Sequence, residues 1–221
     1  MKNENRIAKG INFLTPIYQL ISRFIFANQI FKSQIYYLSE LKNASSVLIV
    51  GGGNGDLLLE LLKQKTATNY YYLDLSDKMI SYTKKRVEKM YPKQLNTITF
   101  HCGSEKNLPE NIFFDVIITP FVLDFFSGTD LKKMMQQLDE KLAPKGKWLM
   151  IDFNIPAKPK WMTFFSKIII RFLYFFFNIF CALGVRELPC FEKYFFDLGY
   201  QSHAKKYFLN GLLISQIYMR E

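Results

Sequence analysis

The sequence predicts an α/β protein with a mostly parallel sheet, helices on both faces and an antiparallel hairpin at the C-terminal end. Three observations carry this. Strand-like and helix-like patterns alternate from residue 46 to residue 153, which calls for parallel strands joined by crossover helices. The first strand runs straight into a glycine-rich loop, Gly51, Gly52, Gly53, Asn54 and Gly55. After Gly199, the strand-like runs Tyr200–Phe208 and Leu212–Met219 are joined by Leu209, Asn210 and Gly211, and Asn-Gly between such runs marks a hairpin.

The elements follow in order. An aromatic, helix-like arm runs from about Ile11 to Leu41, within an N-terminal segment 1–41. Ser46–Val50 is a short apolar run of buried-strand type. A helix pattern covers Gly55 to about Lys65, with Asn54 placed to cap it. Asn69–Leu73 reads as strand two, Asp77–Met90 as a helix, and Thr97–Cys102 and Asp115–Thr119 as strands three and four. Leu131–Leu142 is helical and Lys147–Phe153 is strand five. Residues 154–198 form an aromatic helical insertion before strand six. No repeat or linker divides the 221 residues, which suit one domain.

Composition narrows the partners only a little. The net charge of +10 fits nucleic acid, an anionic membrane, an acidic substrate or a lysine-rich solvated surface. The first ten residues carry no apolar core of signal-peptide type. Cys102, Cys181 and Cys190 have no metal-ligand spacing, and with His101 and His203 as the two histidines neither a metal site nor a disulfide framework is predicted. The expectation is a reducing cytoplasm. An aromatic fraction of 17%, with 22 Phe and 13 Tyr, is high enough to need a place to pack.

The chemistry starts at the glycine loop. Gly51, Gly53 and Gly55 follow strand one and precede a helix, where open α/β sheets bind ligands. Glycine permits backbone angles closed to other residues and lets a ligand approach the main chain. Asp74 ends strand two and can accept hydrogen bonds from both ribose hydroxyls of an adenine nucleoside. A dinucleotide fingerprint needs a small residue where helix meets strand. That position is Asp56 or Leu58, depending on register, and both fail.

With these features the chain resembles the class I S-adenosylmethionine (SAM)-dependent methyltransferases. Their h-h-D/E-h-G-x-G-x-G loop is matched by Leu48 to Gly55, with Ile49 where the acid usually stands. LDLSDKM, Leu73 to Met79, is similar to their D-h-S-x-x-M segment. GSEKNLP, Gly103 to Pro109, is similar to G-D-A-x-x-L-P, with Ser104 at the adenine-binding aspartate. Phe114 to Phe125 resembles the segment lining the methyl-donor pocket, and Leu142 to Asp152 the L-x-P-G-G segment before strand five. The resemblance implies a Rossmann-like seven-stranded sheet of order 3-2-1-4-5-7-6, with SAM as cofactor and S-adenosylhomocysteine (SAH) as product. It places Gly51, Gly52, Gly53, Asn54 and Gly55 at the methionine portion and Asp74 on the ribose. Leu75 and Met79 would meet the adenine face, Ser104 or Glu105 its edge, and Thr119, Pro120 and Phe121 would border the sulfonium. Tyr18 would fold over the site from the arm.

Asp124, just past strand four, is the candidate acid or base, set against a purely structural role at a helix start. Asp152 faces the same rim. Lys160 to Leu183 is the most unusual stretch: Lys160, Thr163, Lys167, Arg171, Tyr174, Asn178 and Cys181 share a narrow polar stripe, and nearly everything else is large and apolar. It could be a core helix that also packs against the aromatic N-terminal arm, the roof of an apolar acceptor pocket, or a membrane or dimer contact through 160–183. The expected function is methyl transfer to a small, hydrophobic acceptor such as a quinone precursor, lipid or aromatic metabolite. The chain is similar at superfamily level to quinone-biosynthesis and phospholipid methyltransferases. The alternatives are a degenerate binding protein of the same fold and an RNA methyltransferase. DNA is disfavoured, because Thr119-Pro120-Phe121-Val122 lacks the second proline and final aromatic of amino-group DNA enzymes.

Overall fold

The computed structural model describes residues 27–181 and 184–220. Tyr18 and most of the aromatic arm therefore lie outside the described residues. The arm's end forms α1, Ala27–Ile35. Seven strands follow: β1 Ala44–Val50, β2 Ala67–Asp74, β3 Ile98–Cys102, β4 Phe114–Pro120, β5 Leu142–Phe153, β6 Gln201–Phe208 and β7 Leu213–Met219. They form one sheet of order β3-β2-β1-β4-β5-β7-β6. β7 runs antiparallel to both β5 and β6, and every other pair is parallel.

The central strands are apolar on both sides because both sides are covered. Val47 and Ile49 of β1 face one layer, and Leu48 and Val50 the other. The first layer contains α2 (Asp56–Gln64), α3 (Asp77–Met90) and α5 (Lys160–Cys181). Leu57, Leu58, Leu61 and Leu62 leave α2 no exposed large side chain toward the sheet. α3 starts at Ser76, whose hydroxyl accepts the Met79 N–H at 3.1 Å. The second layer holds α4 (Gly128–Asp139) and α6 (Phe191–Asp197).

Three local expectations are corrected. Helix four runs over Gly128–Asp139 rather than Leu131–Leu142, and β5 starts at Leu142 rather than Lys147. The Phe114 N–H already bonds the Lys141 carbonyl, and a register shift between Phe114 and Val116, with Lys145 at φ 64°, breaks the apolar alternation. The hairpin turn between β6 and β7 falls on Leu209–Gly211 as expected, as a 3₁₀ turn with all three residues at positive φ. Gly55, not Asn54, caps α2, in a left-handed conformation. Asn54 instead accepts the Asp56 N–H and donates to the Asp56 carboxylate.

The second layer is keyed on Trp148. Its indole donates to Thr119 Oγ1 at 3.1 Å, and Phe195 lies edge-on to it at 5.1 Å. Phe195 also stacks on Tyr218 at 3.7 Å, joining α6, β5 and β7. Phe195→Ala should therefore cost about 3–5 kcal/mol, read as a lower midpoint in urea unfolding with an unchanged slope.

Candidate functional site

The loop after β1 is shaped by what lies beneath it. Gly51, Gly53 and Gly55 all take positive φ, at 71°, 61° and 82°. A side chain at residue 52 would fall 2.2 Å from the Tyr72 ring, so only glycine fits over that tyrosine. Tyr72 donates its hydroxyl hydrogen to the Gly53 carbonyl at 2.6 Å. From α3, Arg86 donates to the Asn54 carbonyl and to Asp56, each at 2.7 Å. The loop is thus held from behind by β2 and α3. A Cβ at Gly53 would meet nothing within 4 Å, so its front is open.

Asp74 borders that open side. Its Oδ2 accepts the Gly53 N–H at 3.0 Å and its Oδ1 the Ser76 N–H at 2.9 Å. Burial raises its carboxyl above the usual range, opposed by the backbone N–H groups of Ser76, Gly53 and Leu75. Each carboxylate oxygen keeps a second lone pair for an added donor. The Gly103 N–H bonds the Asp74 carbonyl, which brings the Ser104–Glu105 turn to the same rim. Met79 is buried and Leu75 half-buried there. Ile49, at the position usually acidic, is wholly buried between β2 and β4.

The end of β4 divides its residues. Thr119 is buried, with its hydroxyl spent on Trp148 in the second layer, so its side chain does not serve the rim as expected. Pro120 is also buried. Phe121 turns at φ 53°, donates its N–H to the Ile151 carbonyl and packs on Phe153 at 5.4 Å.

Next to it the structure brings together a group that sequence reasoning recognised only in part. Asp124, in a 3₁₀ turn over Leu123–Phe125, and Asp152, near the end of β5, are both fully buried. Asp124 Oδ1 and Asp152 Oδ2 have no hydrogen-bond partner among the described residues, and neither has the Tyr174 hydroxyl of α5. Burial pushes the Asp124 carboxyl up to about 7. Burial and then the adjacent Asp124 charge push Asp152 well up, and the N–H groups of Phe153, Asp124 and Leu123 act against this. Tyr174 is raised by burial first and then by the charges of Asp124 and Asp152. Like charges this close favour a shared proton. Tyr174 was legible only as a member of the polar stripe of its helix.

Comparison with known proteins accords with this geometry. Residues 47–146 match a protein family described as a methyltransferase domain. Over that span and in its sheet order the chain is similar to the class I SAM-dependent methyltransferases. A 2-phytyl-1,4-naphtoquinone methyltransferase of Nostoc punctiforme is 27% identical over 164 residues, covering 72% of this chain and 70% of that protein. The ubiquinone/menaquinone biosynthesis C-methyltransferase UbiE of Blochmanniella floridana is 30% identical over 133 residues, and the match spans 50% of its length. Among solved structures, the mitomycin 7-O-methyltransferase MmcR superposes with a TM-score of 0.70 at 16% identity, covering 95% of this chain and 60% of that one. Magnesium protoporphyrin IX methyltransferase from Synechocystis, solved with bound SAH, gives 0.62 at 15% identity, covering 88% and 83%. The open Gly53 face and the lone pairs left on Asp74 offer room and acceptors for such a ligand.

Two outcomes follow from this geometry. Gly53→Ala meets no steric obstacle and should cost only about 1–2 kcal/mol for its left-handed backbone, yet it should abolish SAH binding measured by calorimetry. Gly52→Ala, which collides with Tyr72, should lower both binding and stability. SAH binding by Gly53→Ala at wild-type affinity would move the ligand off this loop.

The second outcome concerns pH. The unfolded chain releases the Asp124 and Asp152 protons near the ordinary carboxyl value of 3.8, whereas the folded chain retains them to a higher pH, about 7 for Asp124. Between these limits the native state binds more protons than the unfolded state, so stability falls as pH rises. Asp74, also raised, acts in the same direction. Asp152→Asn should flatten the fall in Tm between about pH 4 and 7; an equally steep profile in the variant would place the titration elsewhere.

Proposed function

We propose that this domain transfers the methyl group of SAM to a small, apolar acceptor of the quinone-precursor, lipid or aromatic-metabolite class. The observation that carries the acceptor class is the aromatic rim where β4 and β5 end. Phe121 packs on Phe153 there, Phe125 lies 5.3 Å from Phe177 of α5, and that helix crosses above them. The relatives named for naphthoquinone and ubiquinone or menaquinone methylation support the same class.

SAM supplies an electrophilic methyl group on a sulfonium sulfur. The chain's residues would hold it as the resemblance implies: Gly51, Gly53 and Gly55 at the methionine portion and Asp74 at the ribose. Leu75 and Met79 would lie on the adenine face, with Ser104 or Glu105 at its edge. What remains for the protein is to align an acceptor atom for in-line attack and to keep water out, which can supply much of the acceleration. The aromatic rim does both for a flat apolar acceptor. A base is needed only where the acceptor has a proton to lose. Asp124 is suited to that step, since a carboxyl near 7 can take up or release a proton at neutral pH. Asp152, whose carboxyl is pushed up by burial and then by the Asp124 charge, is then a positioning residue beside it.

Thermal unfolding with SAH tests the donor half. At about 100 times its dissociation constant the ligand should stabilise the fold by about 2.7 kcal/mol, and Asp74→Ala should remove most of that shift. No shift at millimolar SAH would overturn the reading, and a binding protein of the same fold, with Ile49 as a lost ligand contact, would replace it.

A further inference from the structure

α5 has two apolar arcs with different fates. Met162, Ile170, Tyr174 and Phe177 are buried against the sheet layer, along with Ser166. Trp161, Phe164, Phe165, Phe172, Phe175 and Ile179 point the other way, each between 55% and 67% exposed. At 3.6 residues per turn these six fall within an arc of about 100°, opposite the buried arc, and Trp161 to Ile179 spans about 27 Å. Together they present roughly 700 Å² of apolar surface, above the roughly 300–600 Å² of the largest patch on a typical monomer. Lys160, Lys167 and Arg171 are exposed along one edge of the arc, and the helix contains no acidic residue.

Lys160–Ile179 is long and apolar enough to cross a bilayer. It does not cross one here, because its inner arc belongs to the core and the strands on either side of the insertion share one sheet. An apolar arc backed by protein and edged with cations matches a helix lying in a membrane interface. A second copy pairing through the same helices in antiparallel fashion would set the two cationic edges side by side, with no carboxylate on either helix to neutralise them. A surface of lipid phosphates neutralises them directly.

We propose that α5 docks this protein on an anionic bilayer, its outer aromatic arc in the headgroup–acyl boundary and Lys160, Lys167 and Arg171 on lipid phosphates. The proposal goes beyond the methyl-transfer reading but suits it, since an apolar acceptor would then be drawn from the phase in which it dissolves. Its test needs neither methyl donor nor acceptor, so the two readings can fail separately.

The protein has two tryptophans. Trp148 is fully buried and Trp161 is 64% exposed, so a change in emission on adding vesicles reports on α5. Phosphatidylcholine vesicles, with and without phosphatidylglycerol, are mixed with the full chain and separated by flotation. Anionic vesicles should carry the protein up with a blue shift, and binding should weaken at least tenfold in high salt or on neutral vesicles. The triple variant F164S/F172S/F175S should lose flotation while keeping the wild-type Tm, because those side chains lie outside the core. K160E/K167E/R171E should lose the preference for anionic lipid. A folded wild type that neither floats nor shifts on anionic vesicles would overturn the proposal. So would a vesicle-free dimer, seen by sedimentation velocity, that the triple phenylalanine variant dissolves without any vesicle binding in the wild type; the face would then be a subunit contact.

Discussion

The ring of Tyr72 takes the space that a side chain on residue 52 would need, and its hydroxyl holds the carbonyl of residue 53. Much of the site depends on that contact. With the loop pinned to β2 at this point, the Gly53 N–H turns toward Asp74, two residues farther along the same strand. The carboxylate is then fixed from both sides, by the loop and by the Ser76 N–H at the start of α3. α3 returns the support, since Arg86 and Thr83 bond the loop's carbonyls. Strand, loop and helix form one closed set of hydrogen bonds around an open front, a preorganised arrangement.

A different physical constraint governs the far half of the rim. Two carboxylates and a phenol buried together are costly, and unpaired buried polar atoms lower stability. A core built for stability alone would place apolar side chains there. Asp124, in the turn after β4, and Asp152, near the end of β5, stand there instead, beside Tyr174, and this local conflict is the ground for the role proposed for Asp124. The cost is limited by protonation, because a shared proton leaves the pair with fewer charges in a medium that solvates charge poorly.

Much of this was legible in the sequence, for identifiable reasons. Strands buried on both faces leave continuous apolar runs, so β1, β2 and β4 are readable, and α3 was expected over Asp77–Met90, where it stands. The place of Asp74 beside the glycine loop was legible because it ends the strand that neighbours β1. The start of β5 was not, since a bulge with Lys145 in the left-handed region hides the pleat. Thr119 was assigned to the rim from its place in the chain, but pleat alternation sends its hydroxyl to Trp148 in the opposite layer. Tyr174 was hidden for a subtler reason. A helical wheel sorts residues by polarity, so the phenol was grouped with Lys167 and Arg171, whereas the fold buries it at the boundary of the inner arc.

That boundary explains the aromatic excess of the chain. An ordinary amphipathic helix has one apolar arc and needs one partner. α5 has two, separated on one side by Lys160, Lys167 and Arg171, and the sheet can cover only the inner one. The inner arc closes the aromatic rim through Phe177 and brings Tyr174 to the carboxylate pair. The outer arc stands exposed among the described residues. Six of its large apolar residues are each more than half exposed, and the absence of acidic residues along the helix favours an anionic surface, as proposed above. An apolar phase with a negatively charged surface meets both conditions at once, and it is also the phase from which an acceptor suited to the aromatic rim would come.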